Sequence, residues 1–99
     1  MITALTQDEQ TDALSTLLDW TYDPERRALF RHIAFRDFSE AFGVMTRIAL
    51  EAEKVDHHPE WSNVYNRIDI WLTTHDANGV SARDIDMARK IDRIAASVR

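Results

Sequence analysis

The sequence predicts a two-layer α/β sandwich of the α+β class, in which helices cover one face of an antiparallel sheet. Three segments begin with an N-capping signal and continue with apolar residues at helical spacing, and the segments between them alternate apolar and polar residues as strands do. The resulting order is helix, two strands, helix, one or two strands, helix. Ninety-nine residues suit one domain over 1–99, and so short a chain buries little core, which favours self-association.

The first predicted helix is short. Thr6 and Glu9 have the spacing of a capping box, in which each side chain satisfies a backbone donor at the helix start. The apolar stripe that follows consists of Leu14, Leu17 and Leu18. A short amphipathic helix is therefore expected, ending near Asp19 and Trp20.

A hairpin is predicted next. Residues 27–35 alternate between two sides of an extended chain, and residues 20–22 would pair with them through a turn at 23–25. His32 lies within this alternation with no acidic neighbour in sequence, so it is interpreted as an ordinary sheet residue.

The strongest helix prediction starts at Asp37, whose carboxylate can cap the helix while Glu40 stands three residues on. Its apolar face consists of Phe38, Ala41, Phe42, Met45, Ile48, Ala49 and Ala52. Gly43 indicates either a tolerated weak point or the close approach of a neighbouring element. The helix should end near Val55 and Asp56.

The carboxyl-terminal half begins with residues 61–75, which are rich in β-branched and aromatic side chains and predict one long strand or a pair. Residues 76–79 form a turn signal, and Ser81 with Asp84 predicts the cap of a closing helix. The apolar positions of that helix are Ile85, Ala88, Ile91, Ala95 and Val98.

Composition excludes several classes of function. The net charge of −5 gives no excess of positive charge for nucleic acid or an anionic membrane, and no segment is apolar enough to span a bilayer. The absence of cysteine excludes disulfides and thiolate chemistry. Residues 1–10 do not resemble a signal peptide. We therefore expect a cytoplasmic protein.

Three of the four histidines, His57, His58 and His75, mark where chemistry is expected. Imidazole both gives and takes protons near neutral pH, so this concentration favours general acid–base catalysis. Solvated or capping roles remain open from the local pattern alone. A metal site is disfavoured, because adjacent histidines rarely reach one ion and no His-Glu-x-x-His motif is present.

Aromatic and basic residues carry weaker signals. Trp20 and Trp71 are interpreted as core residues, whereas Trp61 follows the histidine pair closely and could stack on a flat heterocycle. The remaining positive charges are interpreted as solvated faces: Arg26, Arg27, Arg83, Arg89, Lys90 and Arg93.

Residues 53–61, which read EKVDHHPEW, resemble the signature of the pterin-4a-carbinolamine dehydratase family. The same pattern continues at Tyr65, His75 and Asp84, and the stretches 35–47 and 73–81 are also similar to that family. The resemblance therefore covers nearly the whole chain.

The resemblance implies a four-stranded antiparallel sheet, the order α-β-β-α-β-β-α, and a homodimer or homotetramer. It also implies a hydro-lyase that removes water from 4a-hydroxytetrahydropterin (4a-hydroxytetrahydrobiopterin) to give quinonoid dihydropterin. That step would serve tetrahydrobiopterin recycling after an aromatic amino-acid hydroxylase. The pterin is then the substrate, and no metal or organic cofactor is expected.

The resemblance also assigns the site residues. Proton transfer falls to His57, His58 and His75, with Glu53 tuning a histidine. The residues expected to bind the pterin are Asp56, Trp61, Thr74 and Asp84. An alternative function, implied by animal members of the family, is a dimerisation cofactor of a homeodomain transcription factor that binds its partner through the helix over 37–56 or the final helix.

Overall fold

Helix caps and alternating apolar residues fold the chain into the predicted order of elements. A computed structural model describes residues 2–98. The elements are α1 (Gln7–Leu14), β1 (Thr21–Asp23), β2 (Ala28–Ala34), α2 (Phe38–Val55), β3 (Glu60–Val64), β4 (Arg67–Leu72), one 3₁₀ turn (His75–Ala77) and α3 (Ala82–Ala96). The four strands form one antiparallel sheet in the order β1-β2-β4-β3. The predicted α+β class and element order are confirmed.

The core lies between one face of this sheet and helices α2 and α3. Strands β2 and β4 are central and pair from Leu29 to Ala34 of β2, and their alternate residues point toward the helices. The fully buried residues on this inner face are Leu29, Ile33, Ile68, Ile70 and Leu72, and the helices cover them with Val44, Ile48, Met87 and Ile91. Each such side chain contributes about 1.5–3 kcal/mol through burial, so the two central strands fix both helices.

Helix α1 is shorter than expected. Its predicted capping box is present, with the Glu9 amide donating to Thr6 Oγ1 and the Thr6 amide donating to Glu9 Oε1. The helix nevertheless ends at Leu14, because the hydroxyls of Ser15 and Thr16 donate back to helix carbonyls and close the last turn.

The expected leucine stripe is therefore wrong beyond Leu14. Leu17 is buried in the core, but it lies outside α1, and the side chain of Leu18 is exposed. No residue of α1 itself is buried.

Both hairpins differ from the sequence prediction in detail. Strand β1 starts one residue later than expected, and Asp23 turns the chain by accepting hydrogen bonds from the next amides, those of Glu25 and Arg26. Residues 61–75 form a pair of strands, because Tyr65 adopts a left-handed conformation (φ 52°) between β3 and β4. The alternation expected across 64–66 is interrupted there.

The predicted bounds of α2 are confirmed. The Asp37 carboxylate accepts from the Glu40 amide at 2.9 Å, and Asp56 ends the helix in a left-handed conformation. Gly43 is exposed in mid-helix, and a Cβ placed there would meet nothing within 4 Å. Within residues 2–98 it is thus the tolerated weak point rather than a place of close approach.

Candidate active site

The end of α2 places the histidine pair at one end of the sheet. Asp56 ends the helix with φ 50° and ψ 46°, and this left-handed turn reverses the chain so that the His57 amide donates to the Ala52 carbonyl at 3.1 Å. As a result His57 turns inward and is buried, whereas His58 points outward and is exposed.

A buried carboxylate holds His57. Asp84 is fully buried, and its Oδ1 lies 2.6 Å from His57 Nε2. Its Oδ2 accepts from Thr74 Oγ1 and from the Ser81 amide, both at 2.8 Å. When the Asp84 carboxylate is ionised it can only accept hydrogen bonds, so His57 donates to it from Nε2. Nδ1, for which residues 2–98 provide no partner, is then free to meet a ligand.

The same carboxylate also caps α3, as the sequence predicted. Ser81 accepts from the Arg83 amide through its hydroxyl, and its own amide donates to Asp84. The Ser81 hydroxyl lies 2.6 Å from Thr74 Oγ1, which completes a network of satisfied polar groups. Buried polar groups with complete hydrogen bonding fix a unique geometry, so His57 is rigidly placed.

The other two histidines pair with exposed carboxylates. His58 Nε2 lies 2.7 Å from Glu53 Oε1, one turn back on α2. His75, in the 3₁₀ turn after β4, places its Nε2 3.3 Å from Glu60 Oε2 at the start of β3. Each of the three predicted histidines therefore has an acidic partner.

These histidines surround one open depression of about 380 Å³. It is lined by Asp56, His57, His58, Pro59, Glu60, Thr73, Thr74, His75, Asp76 and Arg83. Of the residues predicted to form the site, all three histidines, Asp56 and Thr74 line the depression. Asp84 lies beneath the depression and is hydrogen-bonded to two of its lining residues, His57 and Thr74. Glu53 is bonded to a third lining residue, His58.

Trp61 does not line this depression. Its register partner on β4 is Ile70, which is fully buried, so Trp61 lies on the inner face of the sheet and packs against the core. A role in stacking on a ligand gains no support from this position.

Several lining residues had no predicted role in the site, notably Glu60 and Arg83. Arg83 was interpreted as a solvated residue of the final helix. The predicted Ser81 cap was a usable signal, because it places Arg83 in the first helical turn, beside Asp84. The place of Glu60 follows from the pairing of β3 with β4. That pairing puts Glu60 opposite Trp71, near the end of β4 and close to His75.

The fourth histidine lies elsewhere. His32 is on the outer face of the sheet, and its Nδ1 is 2.6 Å from Asp69 Oδ1, directly opposite on β4. The absence of an acidic neighbour in sequence was therefore misleading, because strand pairing supplies one. His32 remains a sheet residue, as predicted, and is a natural internal control.

Two features are absent from the described residues, 2–98. No three histidine, aspartate or glutamate side chains there are grouped so that they could hold a metal ion. Likewise, none of the helices described is both long and apolar enough to cross a membrane.

Known proteins are similar to this chain over nearly its full length. A family model described as pterin 4 alpha carbinolamine dehydratase matches residues 3–94. A protein of Rhizorhabdus wittichii, provisionally named a pterin-4-alpha-carbinolamine dehydratase, is 60% identical over 94 residues, which cover 95% of this chain and 97% of that protein. One of Burkholderia cenocepacia with the same provisional name is 54% identical over 96 residues, covering 97% and 94%.

A solved structure shares the fold. The crystal structure of a transcriptional coactivator/pterin dehydratase from Brucella melitensis superposes with a TM-score of 0.91 at 52% sequence identity. The match covers 94% of this chain and 99% of the other.

Proposed function

The chain belongs to the pterin 4 alpha carbinolamine dehydratase family, and we propose that it removes water from a 4a-hydroxytetrahydropterin through its three site histidines. The observation that carries the proposal is the convergence of His57, His58 and His75 on one depression, each with a carboxylate partner. The names of the relatives agree with a dehydratase.

The reaction needs one proton delivered and one removed. The C4a–O bond breaks as the N5 lone pair forms a C4a=N5 double bond, an acid protonates the departing oxygen, and a base takes the N5 proton. The products are water and quinonoid dihydropterin. Because the substrate supplies the electrons, the proposed chemistry requires no metal or organic cofactor.

The depression offers groups suited to both proton transfers. Imidazole acts as acid or base near neutral pH, and a positioned group of this kind contributes about 10²–10⁴-fold in rate. His57 is rigid, with Nδ1 as its free ring nitrogen, whereas His58 and His75 are exposed at the rim. Asp56 and Thr74 line the same space and are suited to hydrogen-bond the polar edge of a pterin.

The physiological setting is also proposed. Quinonoid dihydropterin is the form that is reduced again to tetrahydropterin, so the reaction would recycle the pterin after an aromatic amino-acid hydroxylase. The cysteine-free sequence suits the reducing cytoplasm, where we place this reaction.

The test is the absorbance decay of freshly generated 4a-hydroxytetrahydropterin. Wild-type protein should accelerate the decay, and His57→Ala, His58→Ala and His75→Ala should each lower the rate by about 10²-fold or more. His32→Ala is the matched control and should leave the rate unchanged, since His32 lies on the outer sheet face. A folded wild-type protein that gives no acceleration would contradict the proposal.

We also propose a homodimer or homotetramer. Helix α2 exposes an apolar row that includes Phe38 and Phe42, whose ring centroids lie 5.4 Å apart. A row of exposed aromatic and aliphatic side chains is costly in water and is typical of an interface. Phe42→Glu should dissociate the assembly in sedimentation analysis, whereas Val64→Glu, at a similarly exposed position, tests whether the β3 edge contributes.

The same row supports a second candidate function, the binding of a helical partner protein. The Brucella melitensis relative is described as a transcriptional coactivator as well as a pterin dehydratase. His57→Ala should abolish dehydration and spare such binding, while Phe42→Glu should do the reverse.

A further inference from the structure

Basic side chains extend from the histidine depression along α3. Helical spacing places Arg83, Lys90 and Arg93 on one side of α3. A small cavity of about 90 Å³ lies between His57 and Lys90, with Arg83 on its wall. It shares His57 and Arg83 with the histidine depression, so the two adjoin.

A larger groove continues from there between α2 and α3. It measures about 740 Å³ and shares Lys90 with the small cavity. Arg47 and Lys54 of α2 face Lys90 and Arg93 across it, and its apolar residues are Leu50 and Ile94. Because they share lining residues, the three depressions form one continuous path. Its length is about 15 Å, the rise of α3 from Arg83 to Arg93.

The part of this path outside the histidine depression, formed by the small cavity and the groove, is positive, although the chain is not. Five of the 12 lysines and arginines lie along it, in a protein with 17 acidic residues. Its acids are Glu51, Glu53 and Asp86. Glu51 is bonded to Lys54 at 2.9 Å and Glu53 to His58 at 2.7 Å, so of these three acids only Asp86 has no ion pair within residues 2–98.

The positive charges of the groove act on the Glu51 carboxyl. The hydrogen bond and charge of Lys54, together with the charges of Lys90 and Arg93, hold the pKa of the Glu51 carboxyl below its ordinary value. Neither Lys90 nor Arg93 has an ion-pair partner in the described part of the chain. Both are therefore available to an anion from outside.

We propose that this basic track, defined as Arg83, Lys90, Arg93, Arg47 and Lys54, binds a negatively charged side chain carried by the pterin substrate. The inference rests on the proposed dehydratase function and specifies its substrate class: a 4a-hydroxytetrahydropterin whose substituent on the pterin ring ends in carboxylates or phosphates. The pterin ring occupies the histidine depression, and the tail follows α3, over the apolar residues Leu50 and Ile94, to the cations of the groove.

The experiment compares three substrates at low salt: a neutral dihydroxypropyl tetrahydropterin, one with a p-aminobenzoylglutamate tail, and one with a phosphorylated propyl tail, each as the fresh 4a-hydroxy compound. At least one anionic substrate should have a kcat/KM about tenfold above the neutral one, through a lower KM. The two anionic arms distinguish carboxylate from phosphate. The advantage should shrink in 0.5 M NaCl, because salt screens exposed charges.

The variant pair is Lys90→Glu and Arg89→Glu. These residues are neighbours on α3 and give the same change in net charge, but Arg89 points away from the groove and is exposed. Lys90→Glu should lower the ratio of anionic to neutral kcat/KM about three- to tenfold, the scale of one exposed charge reversed. Arg89→Glu should leave the ratio as in wild type.

Two outcomes overturn the inference separately from the dehydratase proposal. If all three substrates react with equal kcat/KM and Lys90→Glu leaves the ratio unchanged, the track does not bind the tail, although the enzyme stands. If no substrate is dehydrated, calorimetric binding of the stable 7,8-dihydropterins with the same three tails decides the question. Equal affinity for all three would then refute the track as well.

Discussion

Two histidine–carboxylate pairs at the site have nearly the same length and very different surroundings. His57 and Asp84 lie 2.6 Å apart and His58 and Glu53 lie 2.7 Å apart. Asp84 is fully buried, whereas the Glu53 side chain is 79% exposed. Water competes with the exposed pair and the buried one has no substitute partner, so equal distances correspond to unequal energies. The buried pair sets geometry, and the exposed pair remains adjustable.

The two pairs should differ most in stability when their carboxylates are removed. Asp84→Ala leaves the His57 ring, the Thr74 hydroxyl and the Ser81 amide without their acceptor, so we expect a loss of about 3–5 kcal/mol in the free energy of unfolding. Glu53→Ala should cost at most about 1 kcal/mol. Denaturant unfolding of both variants measures the difference, and equal losses would refute the distinction.

The histidines should show the same contrast on a smaller scale. His57→Ala removes one of the donors to Asp84 and should destabilise the fold by about 1–3 kcal/mol. His58→Ala should change stability by less than about 0.5 kcal/mol, since exposed pairs contribute little. Thermal unfolding separates these values. Both variants should still lose catalysis. Of the two, only His58→Ala should therefore lose activity while keeping its stability.

A third test concerns the other exposed pair, His75 and Glu60. Glu60→Gln keeps the shape of the side chain and removes the charge that faces His75 at 3.3 Å. We expect kcat to fall up to about fivefold, the scale of an exposed pair, with unchanged stability. Asp69→Asn, which makes the same change beside His32, is the control and should leave kcat unaltered. A fall at both positions would indicate a general effect of charge.

The smallest expected effect is at the first helix cap, where a fully exposed carboxylate can be followed directly. The hydrogen bonds from the Thr6 amide and hydroxyl hold the pKa of Glu9 below its ordinary value of 4.5. A lowered pKa in the folded state means stabilisation that is present above pH 4.5 and is lost as the pH falls through the folded pKa. Thr6→Ala removes the hydroxyl and keeps the amide, so it should move the Glu9 pKa part of the way back toward 4.5 in an NMR titration, and an unchanged value would contradict the contribution of the hydroxyl.

Most of the fold could be predicted from the sequence, because the signals that begin its helices are local. Each of the three caps, at Thr6, Asp37 and Ser81, involves residues no more than three positions apart, and all three are present. The leucine stripe was misleading because Leu17 is buried by tertiary packing rather than by the helix it seemed to extend. Local spacing does not reveal that difference.

The site was less accessible to sequence reasoning because its contacts span long distances along the chain. His57 and Asp84 are 27 residues apart, and nothing in their local pattern shows that one is bonded to the other. The resemblance to a family named both residues, but not their bond. Glu60 and Trp61 are adjacent, yet Glu60 faces the depression and Trp61 faces the core. A shift of one residue in the register of β3 on β4 would exchange the two faces, and the local pattern does not give that register.

The two functions of Asp84 have a consequence for how the protein can be monitored. The carboxylate that begins α3 is also the one that orients His57, so undocking of that helix and loss of the proposed catalytic geometry are a single event. A partly unfolded molecule that has released α3 should be inactive even if the sheet remains intact. Turnover would therefore serve as a specific reporter for the docking of the last helix, and activity should disappear at lower denaturant than the signal of the strands if α3 releases first.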